Sequence, residues 1–125
     1  MNSKSSLIFV LFLCLFIFST TASAAQFSGE YFLKVCSLDK NGNEVIKGGK
    51  IACQSYISGV IDYQNTLRSM GLTTDMDFCI PDDVTLNEIQ IRVLVYMTER
   101  EKLHRKFVAA PGVAMALLSL YPCSK

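Results

Sequence analysis

The stretch Val84-Thr85-Leu86-Asn87-Glu88-Ile89, continuing as Gln90-Ile91-Arg92-Val93-Leu94-Val95-Tyr96-Met97, decides the fold class. It carries two conflicting signals. Ile89, Ile91, Val93, Val95 and Met97 alternate along the chain as in a strand, and the β-branched members favour that state. Against this, Thr85 and Glu88 have the spacing of a capping box. The Thr85 hydroxyl can accept from the Glu88 amide while the Glu88 side chain returns to the Thr85 amide. Val84 and Ile89 stand at the two positions of a hydrophobic staple. The segment is also long for a strand. Cap and length predict a helix from Leu86, with Ile89, Val93 and Tyr96 turned to the core.

Upstream, residues 72 to 84 read as a loop carrying Asp75, Asp77, Asp82 and Asp83, with Pro81 breaking regular structure. Before it, Ile51 to Met70 reads as the longest helix. Cys53, Tyr56, Ile57, Val60, Ile61, Gln64 and Leu67 mark one stripe at 3/4 spacing, and Gly71 supplies a stop. Gly59 lies mid-helix, where it costs about 1 kcal/mol against alanine. Internal helix packing explains such a residue; a subunit contact is the other reading. Residues 39 to 50 form a loop of turn-forming residues around Gly42, Gly48 and Gly49. Phe27 to Leu38 predicts a short helix capped by Ser28, with Tyr31, Phe32, Val35 and Leu38 at helical spacing.

Downstream, Glu99 to Lys106 is a charged stretch, read as a solvated face or helix junction with His104 at the surface. Apolar spacing resumes at Val113, Ala116, Leu117, Leu120 and Tyr121. Pro111-Gly112 either opens this last helix or kinks a longer one, and Pro122 ends it. The expectation is an all-α fold, a small bundle of about four helices pinned by two disulfides.

At the N-terminus Lys4 precedes the apolar run Leu7 to Phe18 and the small-residue stretch Ala22-Ser23-Ala24-Ala25. That order is a secretory signal peptide with cleavage after Ala24 or Ala25. The run of about 12 residues is short for a membrane span, which needs about 20. Residues 1–24 are thus expected to be removed and residues 25–125 to form one exported domain with no membrane anchor. Of the 12 basic residues, only Lys4 is lost, leaving 11 against 11 acidic ones. A balanced domain has no basic excess for nucleic acid or anionic lipid.

Cys14 leaves with the signal, so Cys36, Cys53, Cys79 and Cys123 remain. An even set in an oxidising compartment reads as disulfides. Four cysteines allow three pairings, which sequence alone does not decide. Helix order favours Cys36–Cys53, across the first loop, and Cys79–Cys123, if the last two helices run antiparallel. The cysteines lack the close pairing of zinc ligands and His104 is the one histidine, so neither a metal site nor a Cys-His dyad is expected. The acidic pairs Asp75/Asp77 and Asp82/Asp83 read as solvated loop residues rather than catalytic ones. No enzyme and no cofactor follows from the residues.

Four motifs in order carry a resemblance. They are Cys53-Gln54-Ser55-Tyr56-Ile57-Ser58-Gly59-Val60-Ile61-Asp62; Phe78-Cys79-Ile80-Pro81 with Val84-Thr85; Tyr96-Met97; and Ala116-Leu117 with Tyr121-Pro122-Cys123. Together they resemble the Rap/Tai family of type VI secretion immunity proteins. The chain departs from that pattern in its uninterrupted charged run near Glu101 and in Pro111-Gly112. The resemblance implies a small helical periplasmic protein, commonly a homodimer. It also implies a partner, a cognate peptidoglycan amidase effector whose active site the protein blocks. A periplasmic binding or assembly module without a toxin partner is the alternative. Partner residues are specific to each toxin pair and do not transfer by motif. The surfaces expected to dock are the acidic loop of Asp75, Asp77, Asp82 and Asp83 and the polar face carrying Asp62, Asn65 and Arg68.

Overall fold

A computed structural model of the chain describes residues 27–72 and 75–123. The signal-peptide reading, with Lys4, Cys14 and Ala24, falls outside the described residues. Five helices follow one another: α1 (Gly29–Cys36), α2 (Gly49–Ser69), α3 (Leu86–Glu99), α4 (Glu101–His104) and α5 (Ala109–Leu120). Among the described residues, β pairing is confined to isolated bridges.

Helix α3 begins at Leu86, and the Glu88 amide donates to Thr85 Oγ1 at 3.3 Å. The Glu88 carboxylate does not complete the box; it accepts from Arg92 Nη2 at 2.6 Å. The strand-like alternation resolves as a helix stripe. Ile89, Val93 and Met97 are buried one turn apart, while Ile91 and Val95 are exposed. Tyr96 is only partly buried and packs at the core edge.

Helix α1 is shorter than its apolar spacing predicted, and Tyr31 and Leu38 lie exposed while Phe32 and Val35 are buried. Eight residues make two turns, and only one stripe of so short a helix reaches the core. Its first amides are satisfied from outside the helix. Gly29 donates to the Phe107 carbonyl at 2.8 Å, Glu30 to that of Arg105 at 3.2 Å, and Tyr31 to Ser28 Oγ at 3.2 Å. Gly29 is required there, because a Cβ would collide with the His104 carbonyl.

Helix α2 has no side-chain cap at Gly48. The Glu44 carboxylate does that work, accepting from the amides of Gly48 at 2.8 Å and Lys50 at 3.1 Å. These bonds hold its carboxyl below the ordinary glutamate value, the Gly48 bond foremost. Gly71 stops the helix at φ +72°.

His104 is not at the surface: it is 8% exposed. The single turn of α4 points its last side chain inward, with the ring 6.4 Å from Tyr96. Gly112 leaves the room for it, since a Cβ there would lie 3.1 Å from His104 Nδ1. Helix α5 starts at Ala109, which places Pro111 in its first turn, where a missing N–H costs nothing.

The core joins Phe32 and Cys36 of α1, Cys53 and Ile57 of α2, the α3 stripe, and Val113, Ala116 and Leu117 of α5. Two disulfides pin the bundle, Cys36–Cys53 within the core and Cys79–Cys123 outside it. In the chain-entropy account they contribute about 3 and 4 kcal/mol, large beside the stability of a small domain.

Candidate functional site

The last two turns of α2 place Ile61, Asn65 and Arg68 along one side. The following loop folds back against them. Arg68 Nη2 reaches Asp77 Oδ1 at 2.5 Å and the Phe78 carbonyl at 2.7 Å, and lies 3.9 Å from Cys79 Sγ. Gln64, buried on the same helix, donates to Asp77 Oδ1 at 3.0 Å. From the other side the C-terminal strap holds the loop. The Cys79 amide donates to the Tyr121 carbonyl at 2.8 Å, Phe78 bridges Pro122, and Cys79 is bonded to Cys123.

Between helix and loop lies a groove of about 370 Å³, walled by Ile61, Asn65 and Arg68 on one side and Phe78, Cys79, Ile80 and Asp82 on the other. The Arg68 and Gln64 bonds, in that order, hold the Asp77 carboxyl below its ordinary value. Asp77 is therefore a charged structural post of the loop. Its partner, Arg68, is occupied as well.

The structure thus brings Asn65, Arg68, Asp77 and Asp82 together. It leaves Asp62, Asp75 and Asp83 exposed outside the groove lining. Among the described residues no ion pair forms to Asp75, Asp82 or Asp83. No group of three His, Cys, Asp or Glu side chains among them is placed to hold a metal. All four described cysteines are closed in disulfides, so none is a free nucleophile.

A second groove, of about 550 Å³, was not anticipated as a site. Tyr56, Gly59, Val60 and Tyr63 of α2 face Ala110, Pro111 and Ala114 of α5 across it. Gly59 does not pack internally: a Cβ there would meet nothing within 4 Å. Tyr56 stacks on Phe27 with ring centroids 4.6 Å apart, at the edge of the core rather than inside it. The signal for this groove was present in the 3/1/3 spacing of the four α2 residues.

A family model for Rap1a immunity proteins matches residues 28–123, from the α1 cap to the last cysteine. The chain belongs to the Rap1a immunity protein family. The matched span contains both disulfides, both grooves and every core helix of this Rap1a-family protein. No curated protein and no solved structure gives a significant match to it. No described helix is long and apolar enough to cross a membrane.

Proposed function

We propose that this Rap1a-family protein acts in the periplasm, where it binds a type VI secreted peptidoglycan amidase and blocks its active-site cleft. The groove between α2 and the 75–84 loop is the docking face. One observation carries this reading: Asp75, Asp82 and Asp83 form no ion pair among the described residues, on a loop that Arg68 and Gln64 hold in place. A fixed loop loses little conformational entropy on docking. Unpaired carboxylates steer toward a basic cleft rim and speed encounter. A stable complex of this kind buries about 800 Å² on each partner, so the exposed polar face of α2 with Asp62 and Asn65 would share the contact.

The family assignment supports inhibition of an effector, and the two disulfides fit an oxidising compartment. The homodimer belongs to the same proposal. Its contact surface is the α2–α5 groove, which presents apolar side chains without a charged one.

The test mixes the purified mature protein with a small cysteine amidase encoded beside its gene and follows peptidoglycan cleavage. Stoichiometric inhibition is expected, together with sensitivity of a deletion strain to its neighbours. An unaffected amidase and an unaffected deletion strain would refute the reading. An Asp75→Ala/Asp82→Ala/Asp83→Ala variant that keeps full affinity would refute the docking face alone.

A further inference from the structure

The two disulfides occupy opposite environments. Cys36 and Cys53 are 1% and 0% exposed within the helix core. Cys79, at the wall of the docking groove, is exposed, and Cys123 is half-buried. An external thiolate must reach a sulfur before it can exchange, so exposure separates labile disulfides from inert ones. A second observation gives the exposed pair a direction. The Arg68 guanidinium lies 3.9 Å from Cys79 Sγ, where it stabilises negative charge on that sulfur. The better leaving group is then Cys79, and the sulfur under attack is that of Cys123.

We propose that Cys79–Cys123 is a thiol-exchange site for a dithiol reductant, and that its reduction releases the 75–84 loop while Cys36–Cys53 stays closed. The chemistry balances. An attacking thiolate bonds to the Cys123 sulfur, the Cys79–Cys123 bond breaks, and its electron pair leaves on Cys79. The second thiol of the reductant then displaces Cys123 and closes the reductant's own disulfide. Two electrons pass to the protein, and the two protons of the dithiol end on Cys79 and Cys123. What remains on the loop is the Arg68–Asp77 clasp, the Gln64 bond, and the contacts to Tyr121 and Pro122. With the covalent tie gone, residues 121–123 and the loop are free to part. The link to inhibition rests on the docking face proposed above; the exchange chemistry does not.

The experiment titrates the oxidised mature protein with dithiothreitol under native conditions, quenches with iodoacetamide, and locates the alkylated cysteines by mass spectrometry. Cys79 and Cys123 should be trapped at least about tenfold faster than Cys36 and Cys53. Amide exchange over residues 75–84 should rise in step. Simultaneous reduction of both pairs, or reduction of Cys36–Cys53 first, overturns the proposal. An Arg68→Met variant should slow trapping of Cys79 and Cys123, and Arg68→Lys should restore most of the rate. Equal rates in all three overturn the role of the guanidinium. A Cys79→Ser/Cys123→Ser variant whose loop exchanges like the oxidised protein overturns the release. Finally, both redox states are mixed with the amidase. Failure of the oxidised protein to inhibit refutes the docking reading, whereas equal inhibition by both states refutes its regulation by reduction.

Discussion

Asp77 shows how a side chain on a loop that sequence marks as acidic becomes a structural post. Its Oδ1 takes bonds from Arg68 and Gln64, and those bonds favour the charged form. A carboxyl whose folded value lies below its unfolded one adds stability above the unfolded value and loses it as pH falls through the lowered one. The loop should therefore stay clasped at neutral and mildly acidic pH and loosen only below about 3.8, the ordinary value that folding depresses. Amide exchange over residues 75–84 measured against pH checks this, and loosening near pH 6 would contradict it. Asp77→Asn keeps the shape and loses the charge. It should raise exchange in the loop at pH 7 with little change elsewhere. The sequence supplied Arg68 and Asp77 as separate surface candidates. Their pairing spans nine positions and a turn, and no local pattern encodes that distance. His104 failed for a related reason: its charged neighbours Lys102 and Arg105 mark a surface, but the single turn of α4 rotates the last residue inward.

At the scale of elements, caps were the most legible feature. Thr85 and Ser28 each accept an amide from the third residue beyond, as their sequence contexts require. Thr85→Ala should cost about 1 kcal/mol, and the melting temperature should fall by roughly 5 °C. A calorimetric scan checks it, and an unchanged midpoint would show that packing alone positions α3. The Glu44 cap on α2 was not legible, because its carboxylate returns across a loop rather than from the N-cap residue. Alternation misleads in α3 for an instructive reason. When every second residue is apolar, a helix still has an apolar stripe at every fourth position, so Ile91 and Val95 are left outside. The cap and the length of the segment distinguish the two readings.

For the whole molecule, the bundle class followed from spacing, and the disulfide pairing that helix order favoured, one of three the cysteines allow, is the one the structure holds. The grooves did not follow: the α2–α5 groove needs two elements distant in sequence, and the docking groove needs the loop to fold back on the helix before it. The α2–α5 groove gives the homodimer reading a direct test. A Cβ at Gly59 meets nothing within 4 Å, and Gly59→Arg removes a helix-destabilising glycine, so the fold should be kept or slightly strengthened. Sedimentation should show the wild-type protein at twice the mass of the variant. A monomeric wild type would refute the dimer, and a dimeric variant would move its contact to another face.

The disulfides also decide what a protease can do to this molecule. The chain is two covalent rings, residues 36–53 and 79–123, joined through the rest of α2 and the loop that follows it. A single cut anywhere inside either ring opens it without dividing the protein. The two pieces stay one body on a gel until a reductant is added. Only a cut between Cys53 and Cys79 severs the halves, and most of that stretch is helix, whose backbone is poorly presented to a cleaving enzyme. The exposed Asp39–Asn43 turn can thus be nicked while the groove and its loop remain attached.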